Sequence, residues 1–168
     1  EEEANKIIND LSQNDYRVEK VKKGSRAKNP LPPFTTSTLQ QEASKKLNFI
    51  TKRTMSIAQA LYEGVDVKGF GTVGLITYMR TDSVRISEEA QGKAIDFIKQ
   101  SYGEEYIPKE LRVYKGKKNI QDAHEAIRPS HIEITPEVAK ASLTPEQYKL
   151  YTLIWKRFIA SQMSSCEL

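Results

Sequence analysis

The chain has 168 residues, of which 38% are hydrophobic and 29% are charged, and its formal net charge is +4. This length suits one domain, or one domain and a piece of a second, and the apolar fraction is sufficient for a real core. No apolar run approaches the roughly twenty residues that a membrane-spanning helix needs, so we expect no contact with a membrane.

The cysteine and histidine content argues against disulfides and zinc. Cys166 is the only cysteine, and the two histidines lie far from it, so the sequence offers neither an internal disulfide nor a zinc pattern. A reducing, cytoplasmic location is expected. The chain opens on Glu1 with no initiator methionine and no signal peptide, from which we expect a piece of a longer protein.

Positive charge is concentrated in two runs. Residues 17–28 hold six basic side chains and one acid, and residues 112–118 hold four basic side chains and no acid. Such runs are usually solvated loops, but they are also compatible with binding to a nucleic-acid backbone.

Periodicity predicts the elements of the first half of the chain. In order, we expect a helix over 3–13, a strand over 15–22, a loop over 23–33, a helix capped by Ser37 and Gln40 that ends near Asn48, a helix from Thr54 to Glu63 with Leu61 and Tyr62 facing inward, and a turn or hairpin over 64–74. The glycines of 64–74 fit no Walker or Rossmann pattern, so a phosphate-binding loop is disfavoured. Leu75 and Ile76 are typical of a short buried strand.

The second half is predicted to be mostly helical. We expect a helix capped by Ser87 that ends at Gly103, a polar loop over 104–122, a helical turn over 124–127, a short strand over 132–134, a short helix from Thr135 and a last helix from Thr144 with a wide apolar face. The aromatic residues of that last face are interpreted as core and not as a platform for nucleic-acid bases. The fold class is therefore mainly α with a few short strands, which is also the composition of winged-helix modules.

The segment Gly74–Ser83 carries the strongest functional signal. It places Tyr78 directly after the apolar run, with Arg80 and Asp82 at two-residue intervals. A phenol has a pKa of about 10 and attacks poorly at neutral pH unless its anion is stabilised. A guanidinium matches phosphate oxygens in a bidentate fork, so this pair suits attack on a phosphodiester. On chemistry alone, a half-buried core tyrosine is the commoner explanation.

Three stretches together carry a resemblance to a known family. TYMRTDS at 77–83 resembles the active-site motif of bacterial DNA topoisomerase I, a type IA topoisomerase, while PPFTTSTLQQEAS at 32–44 and AHEAIRPS at 123–130 resemble the segments before and after it. Met79 and Arg128 match this branch better than topoisomerase III. The resemblance implies that residues 1–37 belong to a β-rich arch domain and residues 38–165 to a helical, catabolite-activator-like domain that carries the active-site tyrosine.

The resemblance also implies the reaction. Tyr78 would attack single-stranded DNA and become linked to a 5′ phosphate, and resealing would relax negatively supercoiled DNA without ATP. Arg80 would stabilise the transition state, and His124, Asp82 and Arg128 would contact or position the DNA. As a hypothesis, Asp82 would accept a hydrogen bond from His124 and favour its cationic form.

The metal site of the family is not expected in this chain. The resemblance places Mg²⁺ in an N-terminal toprim domain with a DxD pair, and this sequence contains no DxD. We therefore expect no metal ligands here, other domains of the same polypeptide as partners, a location at the bacterial nucleoid, and no cleavage or relaxation of DNA by this piece alone.

Two alternatives from other functional classes stay open at this point. One is a non-catalytic winged-helix module in which Arg80 and the basic runs only hold DNA phosphates. The other is a pure interaction domain. Exposure of the Tyr78 hydroxyl next to Arg80 and His124 would favour the catalytic interpretation.

Overall fold

The computed structural model describes residues 1–114 and 124–168 as a helical protein with short strands. The helices are α1 (Glu2–Ser12), α2 (Thr36–Leu47), α3 (Thr51–Glu63), α4 (Glu88–Ser101), α5 (Pro136–Ala139) and α6 (Pro145–Gln162), with single 3₁₀ turns at Glu104–Tyr106 and Lys140–Ser142. The strands are β1 (Ala27–Lys28), β2 (Val65–Val67), β3 (Gly71–Val73) and β4 (Cys166–Glu167). The predicted fold class, mainly α with a few short strands, is confirmed.

The helix α6 is the centre of the core. Leu150, Tyr151, Ile154, Phe158 and Ile159 are all buried along one face of it, and α2, α3, α4 and α5 pack around it. Thr144 caps the helix in a capping box with Gln147, and Pro145 occupies its first turn. Because the aromatic residues of this face are buried, they serve as core residues, as the sequence predicted, and do not present a surface to DNA bases.

The short strands form two antiparallel pairs. The β2 and β3 strands form a hairpin after α3, with Asp66 opposite Thr72, which agrees with the hairpin expected over 64–74. The β1 and β4 strands pair residues that are far apart in the sequence, with Lys28 opposite Cys166. The described residues contain no helix that is both long enough and apolar enough to cross a bilayer.

Two helices begin earlier than the periodicity predicted, and one begins where it was expected. The α2 helix begins one residue before Ser37, because the capping box is formed by Thr35 and Thr38 and not by Ser37 and Gln40. The α3 helix begins at Thr51, three residues before the expected start. Ser87 caps α4 as predicted, and its hydroxyl accepts from the Ala90 N–H at 3.3 Å.

Several short predicted elements are absent from the described part of the chain. Residues 15–22 form no strand, and their apolar side chains are exposed, since no neighbouring strand pairs with them. Residues 124–127 form no helical turn, because Ile127 instead pairs with Phe34 in a single antiparallel bridge. Residues 132–134 form a turn whose carbonyl groups accept hydrogen bonds from α6, one from Trp155 to Ile132 and one from Tyr151 to Ile134.

Two further predictions lie partly outside the residues that the structure describes, and a third is not tested by it. Most of the basic run over 112–118 and much of the polar loop over 104–122 fall on residues 115–123, which are outside the described residues. The division of the chain into residues 1–37 and 38–165 stays a prediction.

Candidate active site

Tyr78 lies on the exposed side of a segment whose other side is buried. Between residues 78 and 83, Met79, Thr81 and Ser83 are buried, whereas Tyr78, Arg80 and Asp82 are exposed. The Tyr78 side chain retains 39% of its accessible surface. A single bridge from Ile76 to Pro129 takes the place of the short strand expected at Leu75 and Ile76. The segment is therefore anchored by its buried residues and presents a phenol, a guanidinium and a carboxylate to solvent.

One anchor of this segment is the start of α2. The Thr36 hydroxyl accepts a hydrogen bond from the Thr81 N–H at 2.8 Å and donates one to the Met79 carbonyl at 2.7 Å. The Thr36 N–H donates to the Thr81 carbonyl at 2.9 Å. The threonine thus satisfies backbone groups on both sides of Arg80, which fixes the backbone immediately after Tyr78.

The other anchor is the segment 126–130. The Thr77 N–H donates to the Arg128 carbonyl at 2.9 Å, and the Thr77 hydroxyl donates to the Ala126 carbonyl at 2.7 Å and accepts from the Arg128 N–H at 3.0 Å. Leu75 accepts from the Ser130 N–H at 3.0 Å. The three sequence stretches that carried the family resemblance therefore meet at the backbone of Tyr78, although they lie tens of residues apart.

The C-terminal end of α3 packs against the same segment. The Leu75 N–H donates to the Leu61 carbonyl at 2.8 Å. A Cβ atom at Gly74 would lie 2.7 Å from the Tyr62 carbonyl oxygen, so only glycine permits this close approach. This contact brings the Tyr62 ring to the Tyr78 ring, with centroids 5.4 Å apart and planes at 67°. The sequence predicted that Tyr62 faces inward, but 41% of its surface is exposed.

His124 approaches Tyr78 from the third stretch. The two ring centroids are 6.1 Å apart with planes at 34°, and the imidazole is exposed. The hydrogen bond hypothesised between Asp82 and His124 stays a prediction.

Arg80 and Arg128 differ in how their charges are balanced. Arg80 is exposed and, within residues 1–114 and 124–168, forms no ion pair or hydrogen bond through its side chain. The Arg128 side chain is only 14% exposed, and its Nε donates to Glu125 Oε2 at 2.9 Å. Arg80 is therefore available to an incoming phosphate, whereas much of the charge of Arg128 is offset by Glu125.

Glu125 also links the site to α4. Its second oxygen, Oε1, accepts from the backbone N–H of Ser87, the N-cap of α4, at 2.7 Å. A carboxylate at this position is favoured by the dipole of the helix. One side chain thus holds both the guanidinium of Arg128 and the start of a helix, which gives Glu125 a structural role beyond an ion pair.

Sequence reasoning missed three of the residues that build this site: Thr36, Thr77 and Tyr62. For the two threonines a signal was present, since each lies within one of the recognised stretches and a threonine next to apolar residues often bonds to backbone groups. Tyr62 gave no such signal, because helical spacing placed it with the core residues.

The described residues do not fit a metal ion. They contain no group of three or more histidine, cysteine, aspartate or glutamate side chains that could hold one. No chemical step below is therefore assigned to a metal bound by this chain.

Comparison with known proteins identifies the family. A family model described as DNA topoisomerase matches residues 1–168. The chain belongs to the bacterial type IA DNA topoisomerase family. This confirms the assignment made from the three sequence stretches.

This topoisomerase chain is also similar to a solved structure. The full-length topoisomerase I from Thermotoga maritima is 48% identical to it, with a TM-score of 0.73. The match covers 86% of this chain and 22% of the Thermotoga maritima chain. The chain thus spans about a fifth of the length of that relative.

Proposed function

We propose that Tyr78 is the nucleophile of a type IA topoisomerase and that it cleaves single-stranded DNA. The observation that carries this proposal is the exposure of Tyr78 on a segment whose backbone is hydrogen-bonded on both sides. Family membership supports DNA as the substrate. A tyrosine of the core would be buried, and this one is not.

The reaction is a pair of transesterifications. The Tyr78 oxygen attacks a backbone phosphorus, a tyrosine O–P bond forms, and the bond from phosphorus to the 3′ oxygen breaks. The phenol loses its proton and the departing 3′ oxygen gains one, so charge and atoms balance. Attack by that 3′ hydroxyl then reverses the step and reseals the strand after another strand has passed. Because the phosphodiester energy is kept in the phosphotyrosine, no ATP is consumed.

The neighbouring side chains have distinct roles in this proposal. Arg80 stabilises the negative charge that develops on the phosphoryl oxygens. His124, close to the phenol ring, contacts the DNA backbone, and exposed Asp82 helps to position these groups. Arg128 is a weaker candidate for a phosphate contact, since Glu125 already binds it.

The chain is proposed to act within a longer polypeptide at the bacterial nucleoid, in the cytoplasm. Other domains of that polypeptide would supply Mg²⁺ through a toprim domain, and the substrate would be negatively supercoiled DNA. We expect the isolated 168-residue chain to leave such DNA unchanged. Incubation with supercoiled plasmid and Mg²⁺ tests this, with Tyr78→Phe as the control, and relaxation above that control would contradict it.

End-labelled oligonucleotides test the nucleophile itself. In the complete polypeptide, a single-stranded oligonucleotide labelled at its 3′ end should become linked to protein, whereas the same oligonucleotide labelled at its 5′ end should be released as a shorter fragment. Tyr78→Phe should abolish both products while DNA binding persists. Protein-linked label with Tyr78→Phe, or linkage of the 5′-labelled end, would contradict the proposal.

A further inference from the structure

Tyr62 has no part in the chemistry described so far, yet its ring contacts the proposed nucleophile. It is the penultimate residue of α3, directly after buried Leu61, and 41% of its own surface is exposed. An aromatic ring on a helix surface is usually free to move. The Tyr62 ring instead lies edge-on to Tyr78, with centroids 5.4 Å apart.

The backbone of Tyr62 is fixed relative to the segment that carries Tyr78. The hydrogen bond from Leu75 to Leu61 joins the residue before Tyr62 to the start of that segment. The contact at Gly74 leaves no space for a side chain next to the Tyr62 carbonyl. The two rings therefore meet at a junction in which both backbones are held, so the Tyr62 ring limits the space open to the Tyr78 ring.

The contact geometry is one that aromatic rings favour. A separation near 5 Å with steeply inclined planes brings the positive edge of one ring to the negative face of the other. On its exposed side, the Tyr78 ring also meets the His124 ring, with centroids 6.1 Å apart. An in-line attack requires the phenol oxygen to be aimed along the axis of the departing bond, and a ring with more freedom would meet that condition less often.

We propose that Tyr62 is a positioning residue that holds the Tyr78 ring in the orientation for attack on DNA. This inference rests on the proposed function of Tyr78. It assigns Tyr62 an effect on the rate of strand cleavage at saturating DNA and no direct contact with the reacting atoms.

The test is single-turnover cleavage of a 3′-labelled oligonucleotide by the complete polypeptide. Tyr62→Ala removes the ring, Tyr62→Leu keeps apolar bulk without it, and Tyr62→Phe keeps the ring without the hydroxyl. Tyr102→Ala is the matched control, because Tyr102 is also exposed, by 44%, and lies at the far end of α4 from Ser87. DNA affinity is measured for each variant in a Tyr78→Phe background, and thermal unfolding is followed in parallel.

We expect Tyr62→Ala and Tyr62→Leu to slow cleavage by about three- to tenfold at saturating DNA, the range that one aromatic contact supports. Tyr62→Phe and Tyr102→Ala should stay within about twofold of the unsubstituted polypeptide, and DNA affinity should not change.

The inference is overturned if both Tyr62→Ala and Tyr62→Leu cleave at the normal rate, if Tyr102→Ala is equally slow, or if the loss appears in DNA affinity and not in rate. Tyr78→Phe, assayed beside them, separates this failure from that of the proposed function. If Tyr78→Phe still forms the protein-linked product, the nucleophile is wrong; if it does not, the result bears on Tyr62 alone.

Discussion

Tyr78 and Tyr151 are the same type of residue in two regions of opposite character. Tyr151 is fully buried in the middle of α6, and its hydroxyl donates to the Ile134 carbonyl at 2.6 Å. Burial raises the pKa of Tyr151 far above its ordinary value of about 10. Tyr78 is exposed on an irregular segment, and its ring meets two other exposed rings. The sequence alone allowed either environment for Tyr78.

The two regions also obtain their rigidity differently. The α6 helix satisfies its backbone groups by its own internal hydrogen bonds and packs through regularly spaced apolar side chains. The Tyr78 segment has no regular element of its own. It is held by hydrogen bonds to Thr36, to the Ala126 carbonyl and to the Leu61 carbonyl. Around Tyr78, buried residues hold the segment in place, and under the proposed function the exposed side chains take part in the reaction.

The largest expected effect is on the exposed side of the Tyr78 segment. Arg80→Ala in the complete polypeptide should slow strand cleavage by about 100- to 1,000-fold, as the loss of one preorganised charge donor does in other active sites. Single-turnover cleavage at saturating oligonucleotide measures this effect. Arg85→Ala, which removes another exposed arginine nearby, is the control and should be close to normal. Equal rates for Arg80→Ala and the unsubstituted polypeptide would show that Arg80 has no part in the reaction.

The next effect is on the buried side of the same segment. Thr36→Val removes the hydroxyl that bonds both the Met79 carbonyl and the Thr81 N–H. We expect the free energy of unfolding to fall by about 1–3 kcal/mol, because two poorly solvated backbone groups lose their partner. Urea unfolding measures this change, with exposed Thr72→Val as a control that should differ by less than about 0.5 kcal/mol. If Thr36→Val is as stable as its control, the hydroxyl does not hold the segment.

A smaller effect is expected at the buried tyrosine. Tyr151→Phe keeps the ring but leaves the Ile134 carbonyl without its donor, so the free energy of unfolding should fall by about 1 kcal/mol. Urea unfolding again measures it, and Tyr148→Phe on the half-buried side of α6 is the control. The rate of strand cleavage should not change. A loss of cleavage with normal stability would contradict the purely structural role of Tyr151.

The smallest effect appears only at high pH. Because burial raises the pKa of Tyr151 in the folded chain, the unfolded chain releases this proton first, at about pH 10. The contribution of the neutral phenol is therefore complete below about pH 10 and is lost as the pH rises above it. The free energy of unfolding should decline between about pH 9 and about pH 11, and Tyr151→Phe should lessen this decline. It should not abolish the decline, since burial also raises the pKa of Tyr114. An identical pH dependence for Tyr151→Phe would contradict this account.

Much of the fold was predictable because its main signals are local. Caps at Ser87 and Thr144 and the apolar spacing of α6 act within a few residues, and the structure confirms them. The strand over 15–22 was wrong because alternation shows only that a strand would have one apolar face, and strand formation also needs a partner. The turn at 124–127 was wrong because Ile127 pairs with Phe34, about ninety residues away in the sequence.

The candidate site was predictable only in part. The motifs named Tyr78, Arg80 and His124, and the structure brings the phenol and the imidazole close together. Sequence could not place Tyr62 there, because its position depends on the close approach of two backbones at Gly74. Nor could it show that Arg128 is held by Glu125 while Arg80 is exposed, since both are arginines within recognised stretches.

The most direct test of the central claim is to locate the DNA attachment on the polypeptide. The covalent product is trapped by denaturation during cleavage of a single-stranded oligonucleotide, digested with protease and nuclease, and mapped by mass spectrometry. The account predicts a nucleotide linked through phosphate to Tyr78, with Tyr62 and Tyr151 unmodified. Attachment at any other residue, or strand cleavage that leaves no protein-linked nucleotide, would contradict it.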